Sequence, residues 1–201
     1  MQPWELFKEI KKAKYKTVGL NLDYSVSIID GHACLFFQSS RQNSDWLYNF
    51  SFMRKVYKHQ EHHMVVHGGF AKVWKSANDE IMKEFINAVE ITTKLPVIAG
   101  WSFGGAMSVL AAEDFNYRTE RRPFVVTFGA PKVAGDKKTA RYIKGCADFE
   151  QFAEYNDIVT YMPPLPGFRQ IDMVRVGDRF NLLEIFKPQI HHAEYDKASI
   201  Y

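Results

Sequence analysis

The sequence is poor in cysteine, in long apolar runs, in low-complexity stretches and in charge of one sign, and each shortage closes off a class of protein. Two cysteines in 201 residues cannot build a disulfide scaffold. Cys34 and Cys146 sit among apolar or small residues, His-Ala-Cys-Leu-Phe-Phe and Gly-Cys-Ala, and are expected as buried free thiols in a reducing compartment. No apolar run approaches the ~18 residues that mark a membrane-spanning helix. The N-terminus, Met-Gln-Pro-Trp-Glu-Leu-Phe-Lys-Glu, has neither the basic nor the apolar region of an export signal, so the expected location is cytoplasmic. Twenty-six Lys and Arg against 23 Asp and Glu leave a net charge of only +3, interspersed rather than gathered in a stripe, which sets nucleic acid aside as a partner. No stretch is rich enough in Gly, Ser or Pro to divide the chain, and no repeat is visible. A single domain over residues 1–201 is expected, burying roughly 70% of the surface its unfolded form exposes.

What is present is a periodic apolar pattern that changes along the chain. Trp4, Phe7 and Ile10 recur every three residues between lysines and glutamates, which predicts a short amphipathic helix on a sheet edge. Thr17–Asn21, then Tyr24–Ile29, Asp30-Gly31 and His32–Phe37 read as strands, the last two joined as a β-hairpin by the Asp-Gly turn. Trp46, Leu47, Phe50, Met53 and Tyr57 fall at helical spacing after Asn43-Ser44, predicting a helix over Ser44–Tyr57. Met64-Val-Val66 is a short apolar run, and Val73, Trp74, Ala77, Ile81, Phe85 and Val89 predict one long helix from Phe70 to about Thr92. Leu95–Ala99 and Phe124–Phe128 suit buried strands, with a helix over Ala106–Phe115 between them. That order requires parallel pairing with crossover helices, an α/β domain with a mostly parallel central sheet flanked by helices. Asp148–Tyr155 follows, and Ile171–Val176 and Phe180–Ile185, separated by Gly177-Asp178, suggest antiparallel C-terminal strands.

Gly100-Trp-Ser102-Phe-Gly104 lies between an apolar five-residue run and an Ala-rich helix former, the setting in which a serine is held on a sharp strand-to-helix turn with its Oγ exposed above the sheet. A serine hydroxyl is a poor nucleophile at neutral pH and needs a histidine base held by a carboxylate; in this type of sheet the chain order is Ser, acid, His. After Ser102 the histidines are His191 and His192. The acid candidates are Asp114, Asp136, Asp148, Asp157, Asp172, Asp178 or a glutamate. Asp157 is favoured because it follows an apolar and aromatic run at what reads as a strand end.

These residues resemble the class 3 lipase family, from about Leu35 to Tyr195. Phe36-Phe-Gln-Ser-Ser40 before Asp45-Trp46 is similar to the family's Phe-Arg-Gly-Ser/Thr ahead of Asp-Trp, and Val66-His-Gly-Gly-Phe70 to its Val-His-x-Gly-Phe. Gly100-Trp-Ser-Phe-Gly-Gly105 resembles Gly-His-Ser-Leu-Gly-Gly, and Thr127-Phe-Gly-Ala-Pro131 the strand after the elbow helix. Asn156-Asp157-Ile-Val and Pro163-Pro164 resemble Asn-Asp-x-Val-Pro with its prolines, and His192-Ala-Glu-Tyr195 the closing His-x-x-Tyr. The resemblance implies an α/β-hydrolase-type fold, Ser102 as nucleophile, Asp157 as acid and His192 as base, with Ser40 and the Phe103 amide as oxyanion donors. It further implies hydrolysis of carboxylic esters, of lipids or small molecules, through an acyl-enzyme. Neither a metal nor an organic cofactor is required. The alternatives are a catalytically weak lipase-like domain that binds lipid or protein, and a transacylase.

Two positions depart from the family pattern: Gln38-Ser39 replaces Arg-Gly before the oxyanion residue, and Trp101 replaces the histidine before the nucleophile. His191 is the rival for the base, one residue too far from Tyr195 for the family spacing. His59, His62, His63 and His67 have spacings that suit metal ligands, yet only Glu61 accompanies them, so a polar connection with a structural His67 is expected. The Ser44–Tyr57 helix reads equally as a lid over the site or as a core-packing helix. Arg41, Arg54, Lys55 and Lys58 beside it suit transient contact with an anionic lipid surface.

Overall fold

A computed structural model describes residues 1–38, 53–59, 62–155, 157–177 and 195. Along the chain run α1 (Pro3–Lys12), β1 (Lys16–Val18), β2 (Leu22–Ile29), β3 (His32–Phe37), β4 (Arg54–His59), β5 (His62–His67), α2 (Gly68–Lys75), α3 (Asn78–Glu90), β6 (Val97–Trp101), α4 (Phe103–Thr119), β7 (Phe124–Phe128), α5 (Lys137–Cys146), β8 (Asp148–Glu154), a 3-10 turn (Ile158–Tyr161) and β9 (Met173–Val176). Among the described residues, seven strands form one sheet in the order β1-β2-β3-β6-β7-β8-β9, and β4 and β5 pair separately. β1, β2 and β3 are antiparallel. β3, β6, β7, β8 and β9 are parallel. Asp30 and Gly31, both at positive φ (49° and 79°), make the two-residue turn between Ile29 and His32, as the Asp-Gly pair predicts.

Alternation along the strands divides the core between the two faces of the sheet. Ala33, Leu35, Phe37, Ile98 and Val125 face α2, α3, α4 and α5, in one cluster with Phe70, Trp74, Phe85, Leu110 and Phe115. Cys34, Phe36, Val97, Ala99, Val126, Phe128 and Phe152 face the other way and are covered by Leu6, Phe7 and Ile10 of α1 together with Tyr195. Burying each of those three α1 side chains contributes about 1.5–3 kcal/mol. Both cysteines are buried and free, and burial pushes the Cys34 thiol up to about 12 and Cys146 up to about 11.

The structure corrects three expectations. First, α1 lies across the middle of the sheet against β6 and β7, and turns Leu6 rather than Trp4 into the core. Second, the long helix from Phe70 is two helices. The turn between them is tied by 3-10-type bonds from Ser76 N to Val73 O (3.1 Å) and Ala77 N to Trp74 O (3.0 Å), while Ser76 Oγ accepts from Leu20 N (2.9 Å) and so docks the break on the β1–β2 turn. Third, the described end of the expected Ser44–Tyr57 helix is strand β4: Val56 is exposed and Tyr57 buried, paired with Val65 and Met64, a period of two where helical spacing was read. The rest of that segment lies outside the described residues. β9 is parallel to β8, and its expected antiparallel partner is the Phe180–Ile185 run. The chain leaves the carboxyl end of β8, crosses the 3-10 turn and the cis Met162–Pro163 bond, is pinned by the Arg169–Ala134 bridge, and returns in the original direction with Met173 opposite Gln151. The Phe180–Ile185 run lies outside the described residues. No described helix is long and apolar enough to cross a membrane.

Candidate active site

The parallel register aligns the carboxyl ends of β3, β6, β7 and β8, pairing Phe37 with Gly100, Trp101 with Phe128, and Phe128 with Phe152. Ligands bind at that edge in open α/β sheets. Ser102 stands there, between the last residue of β6 and the first of α4, with φ 57° and ψ −122°, a conformation that costs a serine strain energy. Its amide donates to Phe128 O at 2.8 Å, which ties the turn to β7. The turn is tight enough that a Cβ at Gly100 would collide with the Gly104 carbonyl, and one at Gly104 with the Phe37 carbonyl of β3. Helix α4 thus starts directly against two central strands, which fixes its first turn, including the Phe103 amide. The Phe103 ring is buried, edge-on to Phe70 at 5.8 Å.

Asp157 follows β8 at the same edge, 2% exposed, and caps the 3-10 turn. Val159 N donates to its Oδ1 (3.0 Å) and Tyr195 Oη donates to its Oδ2 (3.1 Å). The same Tyr195 Oη accepts from Glu154 N (3.0 Å), locking the phenol to the end of β8, and burial raises the Tyr195 pKa well above its ordinary value. A neutral phenol is therefore a donor to the carboxylate throughout the physiological range. Residue patterning alone did not assign Tyr195 this bond; its signal was the tyrosine of the closing His-x-x-Tyr.

The other acid candidates are engaged elsewhere. Asp114 is buried under Trp74 Nε1 (3.1 Å), Asn78 Nδ2 (3.0 Å) and Arg118 Nε (2.6 Å). Asp136 caps α5 through Thr139 N (2.7 Å), Asp148 pairs with Arg122 (2.5 Å) and Asp172 with Lys144 (3.0 Å). Trp101, at the departure beside Ser102, packs edge-on to Phe7 of α1 at 5.6 Å. His67 caps α2: its Nδ1 accepts from Phe70 N (3.4 Å), its ring stacks on Phe70 at 4.1 Å, and burial lowers its pKa to about 4, so the ring is neutral. His59 and His62 pair on the β4–β5 hairpin, and His63 is exposed. Ser39, Ser40, Asn156, Asp178, His191 and His192 lie outside the described residues.

A mostly parallel sheet flanked by helices, with a strained serine between a central strand and its following helix, defines an α/β-hydrolase-type fold. The chain belongs to the class 3 lipase family, whose model, "Lipase (class 3)", matches residues 34–167. Among solved structures it is similar to the native propeptide complex of Rhizomucor miehei lipase, at 22% identity and TM-score 0.71 over 82% of this chain and 56% of that one. A triacylglycerol lipase whose catalytic centre is described as a serine protease triad aligns at 21% identity and TM-score 0.73 over 82% and 66%. A mutant of the MDLA protein of Penicillium cyclopium aligns at 21% and 0.70 over 78% and 59%. These identities establish a shared fold, and the chain spans less than two thirds of the length of each of those structures. No curated protein matches the chain at a significant level.

Proposed function

We propose that the protein is a serine hydrolase of carboxylic esters, with Ser102 as nucleophile, His192 as base and Asp157 as the acid that orients it. The observation that carries this reading is the pairing of a strained serine at the β6–α4 turn with a buried carboxylate at the end of β8, both on the carboxyl edge of one parallel sheet. A carboxylate offers about four acceptor sites, so an imidazole N–H can bond Asp157 alongside Val159 N and Tyr195 Oη. His192 precedes Tyr195 by three residues, a tether of at most about 11 Å, and Tyr195 is bonded to Asp157.

In this mechanism His192 removes the Ser102 proton as Oγ attacks the ester carbonyl carbon. The resulting oxyanion takes hydrogen bonds from the Phe103 amide and the Ser40 hydroxyl. The imidazolium, balanced by Asp157, protonates the departing alkoxide, and water repeats the attack on the acyl-enzyme to release the acid and free Ser102. Every step uses side chains and water, with no cofactor. The substrates are esters of lipids or small alcohols. In support, the similar solved proteins include triacylglycerol lipases and a fungal lipase–inhibitor complex described as a model for interfacial activation, at 22% identity and TM-score 0.64.

A fluorophosphonate probe tests the reading. Wild type is expected to label once at Ser102, Ser102→Ala not at all, and His192→Ala slower by at least about a thousandfold. A folded wild-type protein that resists the probe overturns the proposal. Because His192 acts as a base only when neutral, ester turnover is expected to rise through roughly pH 6–7.

A further inference from the structure

Three cations gather beside the Asp157 loop. Lys132 follows the Gly129-Ala130-Pro131 turn that leaves β7 where Phe128 O meets the Ser102 amide; its own amide donates to Met162 O (2.8 Å) and its Nζ to Pro163 O (3.4 Å). Arg169 is exposed and bridged to Ala134, its amide donating to Ala134 O at 2.8 Å. Arg175, on β9, donates through Nη1 to Glu154 O (3.0 Å) and Thr160 Oγ1 (2.7 Å), with its guanidinium over the Tyr161 ring at 4.3 Å. Gln170 joins the two loops by donating to Ala130 O (3.0 Å) and Thr160 O (2.9 Å). Burial and then the charges of Arg169 and Arg175 lower the Lys132 pKa, so Lys132 lies within electrostatic range of both arginines.

Their partners differ from those of the ion-paired cations of the fold, as do those of Arg54 and Lys94, which bond to the Pro166 and Asp30 carbonyls. Lys16, Arg118, Arg122 and Lys144 each meet a carboxylate. Among the described residues no carboxylate pairs with Lys132, Arg169 or Arg175, whose bonds run to carbonyls and a hydroxyl. Like charges held together, two of them half-buried, repel one another and are costly unless an anion joins them. A guanidinium whose Nη1 is spent on the fold still offers its other N–H groups in a fork suited to phosphate oxygens, and a lysine adds a mobile point charge.

We propose that Lys132, Arg169 and Arg175 form a phosphate-binding subsite beside the ester site, so that the substrates are acyl esters carrying a phosphate on the alcohol side, as lysophospholipids do. This rests on the serine hydrolase reading. The alcohol portion leaves with its phosphate held at the end of β9 while the acyl group is transferred to Ser102.

Two measurements on the full chain test it. Glycerol 3-phosphate, titrated calorimetrically into Ser102→Ala, is expected to bind, and to bind about tenfold more weakly when Lys132→Ala or Arg169→Ala is added. The ratio of kcat/KM for a 1-acylglycerol 3-phosphate to that for the matching 1-acylglycerol, both kept monomeric, is expected to be about ten or more, to fall toward one in the double variant, and to be retained in Lys132→Arg. A wild-type ratio of one, or a ratio indifferent to Lys132→Ala and Arg169→Ala, overturns the subsite. Inorganic phosphate binding as tightly as glycerol 3-phosphate, with a ratio of one, marks a free-anion site and also overturns it. Fluorophosphonate labelling separates the failures: labelling with a ratio of one removes only the subsite, whereas glycerol 3-phosphate binding without labelling removes the hydrolase reading.

Discussion

Among the described residues four helices cover one face of the seven-stranded sheet, whereas a single helix and Tyr195 cover the other, and the two candidate catalytic groups at its carboxyl edge are braced from these different faces. Ser102 is fixed from the thick side, where α4 presses against the backbones of β3 and β6 with no room for a Cβ at Gly100 or Gly104. Asp157, held by Val159 N of its own turn, is reached from the thin side by a phenolic hydroxyl that spans Glu154 N and the carboxylate. The proposed nucleophile therefore depends on backbone packing that tolerates nothing, and the proposed acid in part on a hydrogen bond that can be deleted by one atom.

The largest break in this contrast is Gly104→Ala. Its Cβ would meet the Phe37 carbonyl and stand 2.8 Å from Gln38 O, neither of which can move without shifting β3. A loss of about 3 kcal/mol in urea unfolding is expected, together with loss of Ser102 labelling; a stable variant that labels normally removes the claim of a rigid elbow. Next comes acid sensitivity on the thick side. The unfolded chain protonates His67 near pH 6.5 while the fold resists to about 4, so its stabilising effect is whole above pH 6.5 and lost as pH falls toward 4, by about 3 kcal/mol. His67→Asn keeps a cap acceptor and cannot titrate, and its denaturation midpoint should fall less over that window; equal slopes would refute the assignment.

On the thin side, Tyr195→Phe leaves the ring in place and removes the bond to Asp157. We expect about 1–2 kcal/mol of destabilisation and a fall in kcat of about tenfold with KM little changed. An unaltered kcat would show that Val159 N holds the carboxylate by itself. The smallest effect has the opposite sign. Gly145 lies in α5 with nothing within 4 Å of an added Cβ, so Gly145→Ala should raise stability by about 0.5–1 kcal/mol without touching labelling.

Features set by neighbours in the chain were legible in the amino-acid sequence. The Asp30-Gly31 hairpin, the β6–α4 turn and the carboxylate after β8 each rest on local chemistry: positive φ, glycine clearance and an aspartate at a strand end. Features set across space were not. Val56 and Tyr57 read as helical until Val65 and Met64 pair with them, and the helix from Phe70 breaks because Ser76 meets Leu20 from a distant turn. The direction of β9 depends on a bridge to Ala134, and the role of Tyr195 on a contact 38 residues away. Cations with no acid partner among the described residues are likewise visible only once the loops after β7 and β8 are brought together.

The described strands of the main sheet lie side by side in the order in which they are translated, none of them inserting between two earlier ones. Such a sheet can grow at one edge as the chain leaves the ribosome. The serine turn is complete once β7 has docked, but Tyr195 emerges 38 residues after the carboxylate it holds. A nascent or stalled chain would thus carry the proposed nucleophile before Tyr195 has joined Val159 N on the carboxylate. On the proposed reading, ester cleavage would reach its full rate only once synthesis has passed that tyrosine.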